Sequence, residues 1–208
     1  MKCSVVCISA EAGAGAEEVV LLVAERLGYR VVDEGIVARA AREAGVEHHV
    51  VADVELRRSF ISRLFRDIAG SSGFVAAGTG FPVYDMDDEP STHDLRLLIR
   101  SAIEETASQG EVVIVSHAAS IALAGRESLL RVLLTGSAEI RATRVVAVRA
   151  VAEKEAARIV AEEDVGRADY LRRFYDIRAE LPTHYDLVVN TDRLAPEEAA
   201  EVVVTAAR

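Results

Sequence analysis

Near the start of the chain, a short apolar run, a glycine-rich stretch and a helical pattern follow one another, and this succession constrains the fold most. Val5-Val6-Cys7-Ile8 reads as a strand buried on both faces. Ser9-Ala10-Glu11-Ala12-Gly13-Ala14-Gly15-Ala16-Glu17-Glu18 comes next, and Val19 to Leu27 reads as a helix. Glycines let the backbone turn tightly, and the N–H groups of a first helical turn have no partner inside the helix, so they suit an anion. The stretch is a candidate phosphate loop through Gly13, Ala14, Gly15, Ala16 and Glu17. Two alternatives stand beside it: a strand-to-helix turn without a ligand, and a dinucleotide fingerprint. The latter lacks its third glycine, where Glu18 stands, although Asp33 lies near the right distance for a ribose.

The side chains of the stretch depart from the usual phosphate chemistry. Against G-x-x-x-x-G-K-[ST], only Gly15 fits; Ala10 stands at the first glycine, Ala16 at the lysine and Glu17 at the magnesium hydroxyl. The frame suggests a nucleotide kinase, and the side chains argue against an efficient one.

Further short strands are expected at Arg30–Asp33, Val112–Val115, Leu130–Leu134 and Asp186–Asn190. Helices are expected over 16–27, 35–45, 53–69, 94–109 and most of 137–178, and Pro196 opens a last one. Between them, 70–93 reads as a long loop with the acidic run Asp85 to Glu89, which lacks the spacing of a calcium loop. Short apolar strands alternating with helices predict a single α/β domain over 1–208, with a parallel sheet covered on both faces. In such sheets ligands sit at the carboxyl ends of the strands, where Ser9–Glu18, Asp33–Gly35 and Ser116–Ala119 would meet.

The formal charge of −10 disfavours nonspecific binding to nucleic acid or an acidic membrane. Lysine occurs only at Lys2 and Lys154, so 22 of the 24 cationic side chains are arginine. Cys3 and Cys7 would lie about 13 Å apart on an extended strand, too far for a disulfide, and are expected as core thiols of a reducing compartment. No signal peptide or membrane span is evident, so a cytoplasmic protein is expected.

Several blocks resemble the bacterial cytidylate kinase-like proteins, a divergent branch of the P-loop nucleoside monophosphate kinases. They are Ile8-Ser9-x-Glu11-x-Gly-x-Gly, Ala24 to Asp33, Ala40 to Val46, Val112 to Ala119, Asp164-x-x-Arg167-Ala168-Asp169-Tyr170 and Tyr185 to Ala199. The resemblance covers nearly the whole chain. It implies a P-loop kinase fold: a five-stranded parallel sheet with helices on both faces and a helical lid near 141–178, with a monophosphate-binding region near 34–94. It further implies ATP with Mg2+ as phosphoryl donor and a nucleoside monophosphate or similar small acceptor. The partner is then a small-molecule nucleotide; a homo-oligomer or a regulatory protein partner stays open. Asn190 and Thr191 resemble the turn beside the adenine. Where the family reads S-R-E-x-G-S-G-G, Ala10 replaces the arginine and Ala16 the last glycine. Where it reads G-R-G-A, this chain has Ser116-His117-Ala118-Ala119. In the lid pattern D-R-A-R-A-D-Y, Arg167 is kept and Val165 replaces the first arginine. The family generally lacks the P-loop lysine as well.

Phosphoryl transfer needs positive charge around the transferred group. Arg144 and Arg167 are the lid candidates, with Arg149, Arg158, Arg172 and Arg173 behind them; the alternative is a solvated helix paired to Glu153, Glu155, Glu162 and Glu163. Asp33 is a candidate to orient an acceptor or a metal-bound water, or else an N-cap before Gly35. His117, with Ser116, is a candidate on the acceptor side, as a conditional cation or as a polar turn residue. His48-His49 cannot share a helix face, and no metal site is expected. The alternative function is a catalytically inactive kinase-fold protein that acts by weak nucleotide binding or protein contacts.

Overall fold

The computed structural model describes residues 3–33, 92–117 and 119–208. The helices expected over 35–45 and 53–69, His48-His49, the acidic run and Ala118 lie outside the described residues, as does most of the loop expected over 70–93.

The sheet has the order β2-β3-β1-β4-β5, and every neighbouring pair is parallel. Its strands are β1 (Val5–Ala10), β2 (Arg30–Asp33), β3 (Val112–Val115), β4 (Leu129–Thr135) and β5 (Leu187–Asn190). All five expected strands are present; β1 runs two residues beyond its apolar run, to Ala10, and the ends of the others lie within a residue of those read from the sequence. β1 is central and β3 lies beside it, with Val5 opposite Val112 and Ile8 opposite Val115. The chain therefore leaves β1 and β3 at the same edge of the sheet, and the Ser116 N–H bonds to the Ile8 carbonyl there at 3.2 Å.

Alternation along each strand builds two cores. Val6 and Ile8 face α1 (Ala16–Leu27) and α6 (Pro196–Ala207), packing with Val19, Val20, Val23, Val203 and Val204. Val5 and Cys7 face the other way, onto Ile103 and Ala107 of α2 (Thr92–Ser108) and Ala119 of α3 (Ala119–Ala122). Burying a valine or isoleucine fully is worth about 1.5–3 kcal/mol, so the doubly covered central strand anchors the fold. Since α2 starts at Thr92, the last two residues of the expected loop are helical.

The stretch expected as mostly helical over 137–178 is so, as a hairpin of α4 (Ala138–Arg149) and α5 (Glu153–Tyr175). Its break and one of the cysteines were not foreseen. It breaks at Ala150, which takes a left-handed conformation (φ 52°) and returns its N–H to the Val146 carbonyl. Alanine carries no side-chain signal for such a break. Cys7 is a core thiol, but Cys3 is only half-buried, because it precedes β1. Burial pushes the Cys7 thiol up to about 12, against smaller opposing effects of Arg126 and Arg131. Ellman's reagent on the native protein at about pH 8 should therefore titrate Cys3 well before Cys7, the second thiol appearing only with denaturant. Equal rates for the two would contradict this packing.

Candidate functional site

The loop from β1 to α1 keeps an open row of donors. Ala14 closes a turn onto the Glu11 carbonyl at 3.0 Å, and Gly13 and Gly15 adopt φ of 78° and 76°. The N–H groups of Ala12, Gly13 and Gly15 find no acceptor among the described residues. Left-handed glycines between ordinary residues turn successive N–H groups toward one side, which makes a concavity suited to an anion.

The opposite side of the same loop is held through its carbonyls. Arg167 Nη1 donates to Ala10 O at 3.2 Å, Arg141 Nη1 to Ala12 O at 3.2 Å, and Thr191 Oγ1 to Ala14 O at 2.9 Å. Arg144 Nη1 lies 3.4 Å from Gly13 O and donates to Thr191 Oγ1 at 2.9 Å, while its Nη2 bonds the Thr191 carbonyl. Arg141 is itself fixed by a two-pronged pair with Asp164 (2.8 and 2.7 Å) and by Gly136 O at 3.0 Å. Glu11 turns away from the concavity: its carboxylate accepts from Thr135 Oγ1 at 2.7 Å and Gly136 N at 3.2 Å, and sits 3.4 Å from Arg141.

A second cluster closes the end of β1. The Arg167 guanidinium donates to Ser9 Oγ at 2.8 Å, to Tyr185 Oη at 3.3 Å and, with Nε and Nη2, to both oxygens of Glu180. The Tyr185 hydroxyl donates to the same carboxylate. His117 Nδ1 lies 2.5 Å from Arg167 Nη1, which calls for Nδ1 as acceptor, so protonating this ring would set two cations together. Burial acts to raise the Glu180 carboxyl, but the bonds and charge of Arg167 and the Tyr185 hydroxyl outweigh it and hold it below the ordinary range. Burial above all pushes the Tyr185 phenol up to about 12, with Glu180 adding to it.

The sequence candidates fall in three places. Gly13, Ala14, Gly15, Ala16, Glu17, Arg144 and Thr191 gather at the loop; Ser116, His117 and Arg167 gather beside Ser9; Asp33 ends β2, two strand spacings or about 10 Å from β1. Thr191 is buried, whereas Asn190 is exposed and uses its side-chain oxygen to bond the Asp192 N–H at 2.8 Å. Ala16, the first residue of α1, is buried with the core cluster that α1 and α6 share. At Glu17, burial raises the carboxyl and Glu163 adds to this, while its own backbone N–H and Arg149 pull it down; a carboxylate thus stands in the first turn of α1. Val165 is 70% exposed, on the face of α5 away from Asp164 and Arg167, so the position of the missing lid arginine faces solvent here. Of the other arginines, Arg149 pairs Glu163 at 2.8 Å and Arg158 pairs Glu155 and Glu162 on the exposed helix. Sequence reasoning gave no role to Arg141, Asp164, Glu180 or Tyr185. The available signal was charge balance: a buried arginine demands a counter-ion.

Two measurements check this geometry. A Cβ on Gly13 would stand 2.5 Å from the Arg141 carbonyl oxygen, whereas one on Gly15 would meet nothing within 4 Å. Gly13→Ala should cost well over the roughly 1–2 kcal/mol of left-handed strain expected for Gly15→Ala in urea unfolding; equal costs would refute the close approach. The depressed carboxyl of Glu180 contributes stability fully above its ordinary value of about 4.3, and loses it as pH falls through the folded value. Between about pH 6 and pH 3 the wild type should therefore lose stability more steeply than Glu180→Gln. Parallel curves would show that the pair is not coupled to folding.

Comparison with known proteins agrees with this architecture. The model of the cytidylate kinase-like family matches residues 5–193. An uncharacterized protein from Eubacterium ventriosum ATCC 27560 superposes with a TM-score of 0.64 at 14% identity, covering 98% of this chain and 97% of the other. A sugar kinase from Janibacter sp. HTCC2649, in an unliganded structure, gives 0.53 at 14% identity, with 98% and 93% covered. A protein from Thermus thermophilus, TT1252, gives 0.51 at 17% identity over the whole of both chains. No curated protein matches at comparable strength. These likenesses are of fold, and with the family match over most of its length, the chain belongs to the cytidylate kinase-like family.

Proposed function

We propose that this chain binds the phosphates of ATP on the N–H groups of its glycine loop and passes a phosphoryl group, slowly, to a small acceptor such as a nucleoside monophosphate. The family supports the class of ligand. The observation that carries the reading is the row of N–H groups on Ala12, Gly13 and Gly15, left without acceptors among the described residues while the loop is pinned from behind. Transfer breaks the bond between the terminal phosphorus and its bridging oxygen and forms one to an acceptor oxygen, leaving ADP. Asp33, Ser116 and His117 are on the acceptor side in this reading, and Asn190 and Thr191 on the adenine side.

The residues fit the triphosphate better than they fit its magnesium. Glu17 replaces the hydroxyl that would hold the ion. Magnesium usually takes one or two protein ligands and completes its shell with phosphate oxygens and water, so in this reading it arrives on the nucleotide's own phosphates. Arg144 and Arg167 spend their donors on loop carbonyls and side chains, so in this arrangement they act through the shape of the loop. Unit charges 4 Å apart at an effective dielectric of 20 interact by about 4 kcal/mol, against at most about 1 kcal/mol for an exposed helix end. A charged Glu17 therefore outweighs the helix and weakens the site. The same carboxylate favours the second reading, a protein without catalysis that works by weak nucleotide binding or protein contacts.

Because Ala16 is packed in the core, the informative change is at Glu17. Calorimetry with magnesium ATP should give a wild-type dissociation constant of about 0.1 mM or weaker, and Glu17→Gln should bind about tenfold tighter, near 1.4 kcal/mol. Lowering the pH should tighten the wild type, since protonation removes the repelling charge. Low-micromolar binding with fast turnover to cytidine monophosphate would overturn the weakened site. No binding in either folded protein would overturn nucleotide binding and leave the second reading.

A further inference from the structure

The Arg167 cluster is built like a ligand site whose ligand belongs to the chain. The guanidinium is fixed from three directions without Glu180: by the Ala10 carbonyl, Ser9 Oγ and His117 Nδ1. Glu180 has a looser hold. Its carboxylate is placed by Arg167 and by the Tyr185 hydroxyl, and it comes from the segment between α5 and the short turn Pro182–His184. The Glu180 side chain is 20% exposed against 6% for Arg167, so the anion borders solvent and the cation does not. The pair lies where β1 and β3 end, one turn of chain from the glycine loop. A planar fork of donors, with the hydroxyls of Ser9 and Tyr185 at its sides, matches two oxygens of a carboxylate or a phosphate monoester.

We propose that Glu180 is a resident counter-anion, and that the anionic group of a small acceptor, a phosphate monoester, takes its place on Arg167, Ser9 and Tyr185. This rests on the proposed function only for the identity of the acceptor. A buried arginine without a counter-charge is strongly disfavoured, so the site is drawn to whichever anion reaches it, and the tethered Glu180 holds it in the free protein at a high effective concentration. Acceptor binding then releases the segment around residues 176–181. The exchange makes the site selective for ligands with two acceptor oxygens, since a single oxygen cannot replace both bonds of the fork.

Thermal shift and calorimetry with inorganic phosphate, and separately with cytidine monophosphate, test the exchange. Glu180→Gln keeps the shape and removes the competing charge. It should melt below the wild type without anion, recover with phosphate, and reach half-saturation at a phosphate concentration at least tenfold lower. Arg167→Lys in the Glu180→Gln background, which keeps a cation without the fork, should abolish the gain. A Glu180→Gln protein that binds both probes no better than wild type overturns the proposal, as does a gain that survives Arg167→Lys. Should Glu180→Gln fail to fold, Glu180→Asp, with its shorter reach, takes the same titrations under the same criteria. Magnesium ATP is titrated in the same proteins: phosphate bound at Arg167 with ATP bound nowhere sinks the glycine-loop reading alone, and the converse sinks this one alone.

Discussion

Three guanidinium groups and one hydroxyl on the carbonyls of a single loop hold the functional end of this molecule together. Arg167, Arg141, Arg144 and Thr191 reach Ala10, Ala12, Gly13 and Ala14 from α5, α4 and the turn after β5. A carbonyl directed to one side leaves its neighbouring N–H groups for the other, so the grip and the open donors are two faces of one arrangement. Arginine suits the task because its planar fork offers five donors and keeps its charge at any pH at which a protein folds. Two acids complete the lattice, Asp164 on Arg141 and Glu180 on Arg167.

The scaffold was legible in the sequence to the extent that hydrophobic pattern alone dictates it. Short apolar runs mark the five strands to within one or two residues, and Gly13 and Gly15 mark the strand-to-helix turn. Legibility stopped where the answer depends on distant partners. Arg144 reads in sequence as one cation on a charged helix; its partners at Gly13 and Thr191 lie 131 and 47 residues away along the chain. Glu180 sits in no motif, and only the burial of Arg167 gives it a purpose. Ala16 stands at the lysine of the motif, and that its side chain is buried with the core that α1 and α6 share is nothing the motif discloses. The break at Ala150 was hidden for a different reason, since the residue is a strong helix former held left-handed by the reversal of the hairpin.

The electrostatics of the loop are divided by direction. Cations crowd its rear, where they meet carbonyls and paired carboxylates, whereas among the described residues the front holds backbone dipoles and a partly buried glutamate at the first turn of α1. In the proposed function, such a loop shapes a phosphate pocket without neutralising what enters it, so geometry and charge compensation, joined in one lysine in many phosphate loops, fall to different parts of the chain.

Because the loop is secured through carbonyl oxygens, which every amino acid carries, its path does not depend on the identity of most side chains along it. Ala10, Ala12 and Glu17 are only half-buried, and Gly15 has open space around it; the locked positions are Gly13, by the backbone of Arg141, and Ala14 and Ala16, by burial in the core. Substitutions at the open positions can therefore change the surface of the loop while its frame stays intact, so the side chains lining it can vary without the protein refolding.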